Sequence, residues 1–325
     1  LDKKTIMNII DLEGQNIMNI LSRSVLEMYI HDPNPEDLSL ENLMLQSIQL
    51  IARFPAVIAY AYNMFQYSVN QKYLNITLPK PKYSIAENFL YMLKQEFSEL
   101  EARMLDLLLI LHAEHGGGNN STFTVRVTSS TRTDTYSSIS AGIGSLKGDL
   151  HGGANAKVMD MLIHLKEAID NWESKKEIDE YLMKMLNKEA YDKSGLIYGM
   201  GHAVYTLSDP RAVILKDLAR QLAKEKKKEK ELAFMELIEE RAIECFIKVK
   251  GEKKRVCANV DLYSGFIYEM LGISKELYTP LFAMSRIVGW CAHRIEELNF
   301  DDRRIIRPAY KNVSDPQEFI SMDKR

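Results

Sequence analysis

Apolar residues recur at three- and four-residue spacings through most of this chain. The pattern predicts helices over residues 6–30, 40–54, 56–67, 85–97 and 100–112. Further helical periods run over 154–172, 176–186, 212–224, 232–249 and 275–298. The breaks suit helix–helix connections: Asp32-Pro33-Asn34-Pro35, and Pro79-Lys80-Pro81. A β-branched alternation occurs only over 122–128 and is too short to define a sheet. The pattern therefore predicts an all-α fold. No internal repeat marks a solenoid.

Composition adds a division. At a soft ~150 residues per domain, 325 residues imply about two domains. Lysine and glutamate crowd together between residues 156 and 254, which suggests a smaller, more polar domain inserted into a larger helical one. The charge balance, 42 basic against 45 acidic residues, lacks the basic patch of a nucleic-acid binder. The cationic run 224–230 alternates with Glu225 and Glu229 and is expected to be a solvated helix face. No stretch approaches the ~18 uninterrupted apolar residues of a membrane span. The opening Leu1-Asp2-Lys3-Lys4 lacks the features of a secretory leader, and the missing Met points to processing or truncation. Cys245, Cys257 and Cys291 are odd in number and have no CxxC spacing. We expect no disulfide framework and a cytoplasmic location.

Chemistry concentrates where histidine meets glycine. His112 and His115 precede Gly116-Gly117-Gly118-Asn119, His151 precedes Gly152-Gly153, and His202 follows Gly199-Met200-Gly201. Glycine lets backbone and ligand approach closely, and a helix mouth offers free N–H donors beside a titratable imidazole. Each histidine alone is also compatible with a structural role; their recurrence in glycine-rich breaks between helices points to a site. His112 and His115 have a metal-ligand spacing, but a helix C-terminus ended by three glycines explains them, no Cys ligand or HExxH pattern accompanies them, and no metal is expected. Arg286 interrupts an apolar run, where a buried guanidinium needs either an internal carboxylate or a carboxylate ligand. Asp261 stands just ahead of an apolar helical run, as a helix cap or as a base.

Taken in order, His115-Gly116-Gly117-Gly118-Asn119, His151-Gly152-Gly153-Ala154-Asn155, the 199–211 segment GMGHAVYTLSDPR, the 259–265 segment NVDLYSG, the 283–293 segment AMSRIVGWCAH and Arg307-Pro308 resemble citrate synthase, from about Leu26 to the C-terminus. Within that family the chain looks most like the bacterial si-type enzymes. The resemblance implies a homodimer with a large helical domain (1–152 and 262–325) and a small CoA-binding domain (153–261). It implies the condensation of acetyl-CoA with oxaloacetate and water to citrate and CoA, a step of the tricarboxylic acid cycle, without metal or redox cofactor. Asp261 would take a methyl proton, His151 would bind the thioester oxygen, and His202 would polarise the oxaloacetate carbonyl. His115, Asn119, His202, Arg211 and Arg286 would bind oxaloacetate, with Arg307 entering from the partner subunit. Leu196, Ile197, Tyr198, Gly199, Met200, Gly201 and Asn259 would receive CoA; Lys253 and Lys254, just before the Asp261 motif, are read either as contacts to its phosphates or as a solvated loop.

Asp149 departs from the proline common in relatives, and the family's N-terminal segment is expected to be missing. The nearest alternative is 2-methylcitrate synthase, which takes propionyl-CoA; one methylene is worth only about 1–3 kcal/mol. A non-catalytic oxaloacetate- or CoA-binding paralogue is the alternative of another class, although binding alone would not need Asp261.

Overall fold

The computed structural model describes residues 3–12, 14–202, 205, 207–251 and 256–325. Among them are thirteen α-helices and no strand: α1 (Lys3–Asp11), α2 (Ile17–Glu27), α3 (Leu40–Ser68), α4 (Ile85–Lys94), α5 (Glu99–His112), α6 (Asn120–Ser130), α7 (Thr135–Lys147), α8 (Ala154–Ala168), α9 (Lys175–Leu186), α10 (Pro210–Lys226), α11 (Glu229–Lys250), α12 (Val260–Met270) and α13 (Tyr278–Asn299). Caps fix many boundaries. Ser84 with Glu87, and Ser98 with Glu101, form capping boxes at α4 and α5, while Asp209 and Pro210 start α10.

The elements differ from the periodic pattern in several places, and α7 falls where no helix is predicted. The 6–30 period is divided between α1, which ends at Asp11, and α2, which starts at Ile17, where Asn16 caps the new helix by accepting from the Asn19 N–H. The 40–54 and 56–67 periods are one 29-residue helix, α3, that runs through Pro55. Pro costs about 3 kcal/mol in a helix interior, but every residue from Phe54 to Ala61 is buried, and packing outweighs it. By length and composition α3 could cross a membrane, yet 61% of its most apolar window is buried inside the protein. The alternation at 122–128 lies in α6, where the Thr124 and Thr128 hydroxyls donate to carbonyls one turn back. The 224–230 run is a corner, not a helix face: Lys227 adopts the left-handed conformation that ends α10, and Lys226 pairs with buried Glu101 at 2.7 Å.

Helix α13 is the axis of the larger group, packing against α3, α5, α6 and α7 with Trp290 fully buried. In the second group α12 packs on α8 and α10, and α11 on α9. The groups meet where α10 touches α5. The ends of α5, α6, α8, α10 and α12 face one another across the cleft between them. All three cysteines are free and buried.

Candidate active site

A cleft of about 390 Å³ collects His115, Asn119, His151, Gly201, His202, Arg211, Asn259, Asp261 and Arg286, residues from six separate segments. Most stand at helix ends, where the chain leaves regular hydrogen bonding and backbone donors are free.

His151 sits in the turn before α8, its own N–H donating to the Gly148 carbonyl. Its Nε2 accepts the Ser121 N–H, one of the free donors of the first turn of α6, at 3.2 Å. The Ser121 hydroxyl lies 3.0 Å from the same nitrogen; it is also within reach of Asn119 Oδ1 and the Trp290 N–H. An Nε2 that accepts leaves the ring proton on Nδ1. Burial, reinforced by the Arg286 charge, pulls the imidazole below its ordinary pKa, so His151 is a neutral donor near pH 7.

His202 has the opposite tautomer. The Tyr205 N–H donates to Nδ1 at 3.1 Å, which places the proton on Nε2. That Nε2 faces His115 Nε2 at 3.1 Å. Both imidazoles are lowered from their ordinary pKa, first by burial and then by the Arg211 charge. The cleft therefore presents three neutral histidines, of which His151 and His202 carry their protons on different ring nitrogens.

Asp261 lies in the first turn of α12, but it is not the cap. Asn259 takes that place, its Oδ1 accepting the Asp261 N–H at 3.0 Å and its Nδ2 donating to the Gly201 carbonyl at 2.9 Å. Backbone bonds stitch 199–201 to 257–259: the Asn259 N–H to the Gly199 carbonyl, the Gly201 N–H to the Cys257 carbonyl, and a bridge between Met200 and Ala258. Gly199 has φ +83°, and a Cβ there would lie 3.0 Å from Leu262 Cα, so only glycine permits the contact. Burial pushes the Asp261 carboxyl up to about 6, against the lowering influence of Arg211 and Arg286. A carboxylate so raised is a stronger base than a solvated one.

The two arginines differ in kind. Arg211 forms a two-pronged pair with buried Asp209, at 3.1 and 2.8 Å. Arg286, 1% exposed, donates from Nε to the His112 carbonyl at 2.8 Å and lies 4.7 Å from the Phe282 ring centre. No carboxylate of a described residue pairs with it, and Nη1 is buried without a partner. Among the described residues the internal acidic partner is thus absent, and a buried cation faces the cleft with donor capacity unused. Asn155 Oδ1, also at the cleft wall, is likewise buried and unpartnered. Two orphaned polar atoms of opposite character fit a ligand that both accepts and donates.

Other expected site residues lie elsewhere. Leu196, Ile197, Tyr198, Gly199 and Met200 form the loop behind the cleft rather than its wall, and Ile197 is buried. Lys253 and Lys254 lie outside the described residues. Arg307 is exposed on the segment following α13, which is anchored where the Ile306 N–H donates to Ser130 Oγ. Asp149 is exposed at the turn before His151 and reaches Lys157 at 3.5 Å. His112 and His115 do not converge as metal ligands: His112 binds the Leu108 carbonyl and packs edge-on to Phe282, whereas His115 faces His202. Ser121 and Phe282 carry no signal in the sequence: Phe282 reads as ordinary core, and the Ser121 N–H that fixes the His151 tautomer is backbone.

A family model described as the C-terminal domain of citrate synthase matches residues 1–309. A citrate synthase of Deinococcus radiodurans is 39% identical over 317 residues, covering 96% of this chain and 77% of the relative. Citrate synthase 2 of Bacillus subtilis is 36% identical, over 97% of this chain and 77% of the relative. A citrate synthase of the archaeon Thermoplasma acidophilum, solved as a ternary complex with carboxymethyl coenzyme A and oxaloacetate, superposes with TM-score 0.78 at 26% identity. The match covers 100% of this chain and 80% of that one. A 2-methylcitrate synthase of Shewanella oneidensis is more distant, 34% identical over 85% of this chain and 67% of the relative.

Proposed function

This chain belongs to the citrate synthase family and is a condensing enzyme of the acyltransferase type, and we propose that it joins acetyl-CoA to oxaloacetate with the side chains of the cleft in the following roles. Asp261 takes a proton from the acetyl methyl group. The His151 Nδ1–H donates to the thioester oxygen as charge develops there. A neutral donor aligned before the reaction stabilises the enol without a solvent rearrangement. The enol carbon then attacks the keto carbon of oxaloacetate, whose oxygen receives the His202 Nε2–H. Water finally cleaves the C–S bond of the citryl thioester, giving citrate and free CoA. Atoms balance with side chains and water alone, so the reading includes no metal or redox cofactor.

The observation that carries this reading is a carboxyl raised to about 6 in one cleft with three neutral histidines and a buried guanidinium that no carboxylate of a described residue pairs. Arg286 and Arg211, with His115, His202 and Asn119, bind the two carboxylates and keto group of oxaloacetate. Residues 195–201 and Asn259 receive CoA largely through backbone groups; the ternary complex of the Thermoplasma relative supports this choice of ligands. Residues 153–261 act as a smaller domain closing on 1–152 and 262–325, which excludes water until the carbon–carbon bond has formed. The chain works as a homodimer in the cytoplasm, in the tricarboxylic acid cycle. In the dimer Arg307 reaches the partner's cleft, a role supported by its exposed position outside the cleft of its own chain.

The test is release of CoA thiol from acetyl-CoA, with and without oxaloacetate, beside propionyl-CoA. Release that requires oxaloacetate and favours acetyl-CoA is expected. A preference for propionyl-CoA moves the chain to the methylcitrate reaction, and no release from the dimeric protein overturns the mechanism.

A further inference from the structure

Helix α13 carries Arg286, Gly289, His293 and Glu297 at steps of three and four residues, so the four lie along one stripe. That stripe holds residues 112–117 point by point. Arg286 Nε takes the His112 carbonyl at 2.8 Å. A Cβ at position 289 would stand 2.3 Å from Glu114 Oε2 and 2.5 Å from the Ala113 carbonyl, so glycine alone seats the loop this closely. One turn on, His293 Nε2 lies 2.9 Å from Glu114 Oε1, and its Nδ1 lies 3.2 Å from Glu296 Oε2. Glu297 takes Arg126 Nε at 3.0 Å, and Arg126 Nη1 donates to the Gly117 carbonyl at 3.3 Å. Glu114 also accepts the Gly116 N–H, so its carboxylate brackets the residue between them, His115. Burial opposes the Glu114 charge, but the His293 and Gly116 donors outweigh it and hold the carboxyl below its usual range.

We propose that His293, acting through Glu114, is the positioning residue for His115, fixing its imidazole at the oxaloacetate end of the cleft. The inference rests on His115 being an oxaloacetate ligand, as proposed above. Three consecutive glycines follow His115, and glycine has the most backbone freedom to lose. A loop of that composition does not hold an imidazole in place by its own torsional preferences, so the restraint must come from outside it. The stripe on α13 supplies it, and His293 is the member that grips the residue directly before His115.

The test is steady-state kinetics on His293→Leu, which removes the donor, and His293→Gln, which keeps an amide N–H of similar reach. His293→Leu should raise the KM for oxaloacetate about tenfold, with kcat within about twofold and the KM for acetyl-CoA unchanged. His293→Gln should recover most of the affinity. Glu114→Ala should match His293→Leu, and the double variant should be no worse than either alone. An unchanged oxaloacetate KM in His293→Leu, a Gln variant as impaired as the Leu variant, or additive single effects would each overturn the proposal. His115→Ala separates the two levels of the argument. If it raises the oxaloacetate KM while His293→Leu does not, the positioning role alone is wrong. If it leaves that KM unchanged, the ligand assignment beneath it is wrong.

Discussion

Replacing Asp261 by Asn should stabilise the protein at neutral pH while removing its turnover. The fold raises this carboxyl to about 6 from the 3.8 of a free one, chiefly by burial. At about 1.4 kcal/mol per tenfold, holding the ionised group costs about 3 kcal/mol of folding stability. The sign follows from proton binding. Between 3.8 and about 6 the folded chain still holds a proton that the unfolded chain has released, so stability falls as pH rises through that window. Below the window the cost is absent, and above it the cost is fully present. Asn has nearly the same shape and no charge, so the fall disappears in the variant. The advantage of Asp261→Asn over the parent should therefore grow by about 2 kcal/mol between roughly pH 4.5 and pH 7.5. Urea unfolding at several pH values, read by circular dichroism, measures it directly. The same preparation should lose about 10²–10⁴-fold in kcat, the usual contribution of a general base. Parallel stability–pH curves for the two proteins would refute the reasoning, because the carboxyl would then not be carrying the cost of its surroundings.

Arg286→Met should weaken oxaloacetate binding by about 2–5 kcal/mol, as for other buried charge contacts, without lowering the stability of the unliganded protein; calorimetry and urea unfolding read the two effects. Ser121→Ala keeps the N–H that fixes the His151 tautomer, so kcat should fall less than about tenfold, whereas His151→Ala should lose about 10²–10³-fold, the range for one oxyanion donor. Gly199→Ala places a Cβ 3.0 Å from Leu262 Cα at a φ of +83°. It should cost about 1 kcal/mol or more of stability and raise the KM for acetyl-CoA; unchanged values of both would refute the stitch between the two segments.

The candidate site was largely legible because its chemistry sits at helix breaks. Histidine beside glycine is visible in a linear string, and so is an arginine interrupting an apolar run. What the string could not show was which groups pair across space. Arg286 read as the partner of an internal carboxylate or of a ligand, and no carboxylate of a described residue pairs with it; Asp261 read as a cap or a base, and Asn259 supplies the cap. Ser121 left no signal, since the atom that orients His151 is an N–H that any residue but proline provides. The fold was less legible in α6 and α7. Their buried faces use Ser121, Thr122, Ser129, Ser138 and Gly142, residues that look polar or flexible yet permit close packing against α13. Tyr136, Ile139, Ile143 and Leu146 did carry a helical period along α7, diluted by the serines and glycines between them. In α3, tertiary burial overrode the local penalty of Pro55.

The stitch between residues 199–201 and 257–259 ties the loop assigned to CoA directly to the backbone two residues before the base. Atoms far from any bond that breaks can thereby tighten the setting of Asp261, converting the grip on an inert handle into speed at the methyl carbon. Binding energy spent in this way appears in the turnover number rather than in affinity. A short acetyl thioester without the nucleotide half should accordingly be a slow substrate even at saturation, and supplying the detached nucleotide fragment should restore part of its rate.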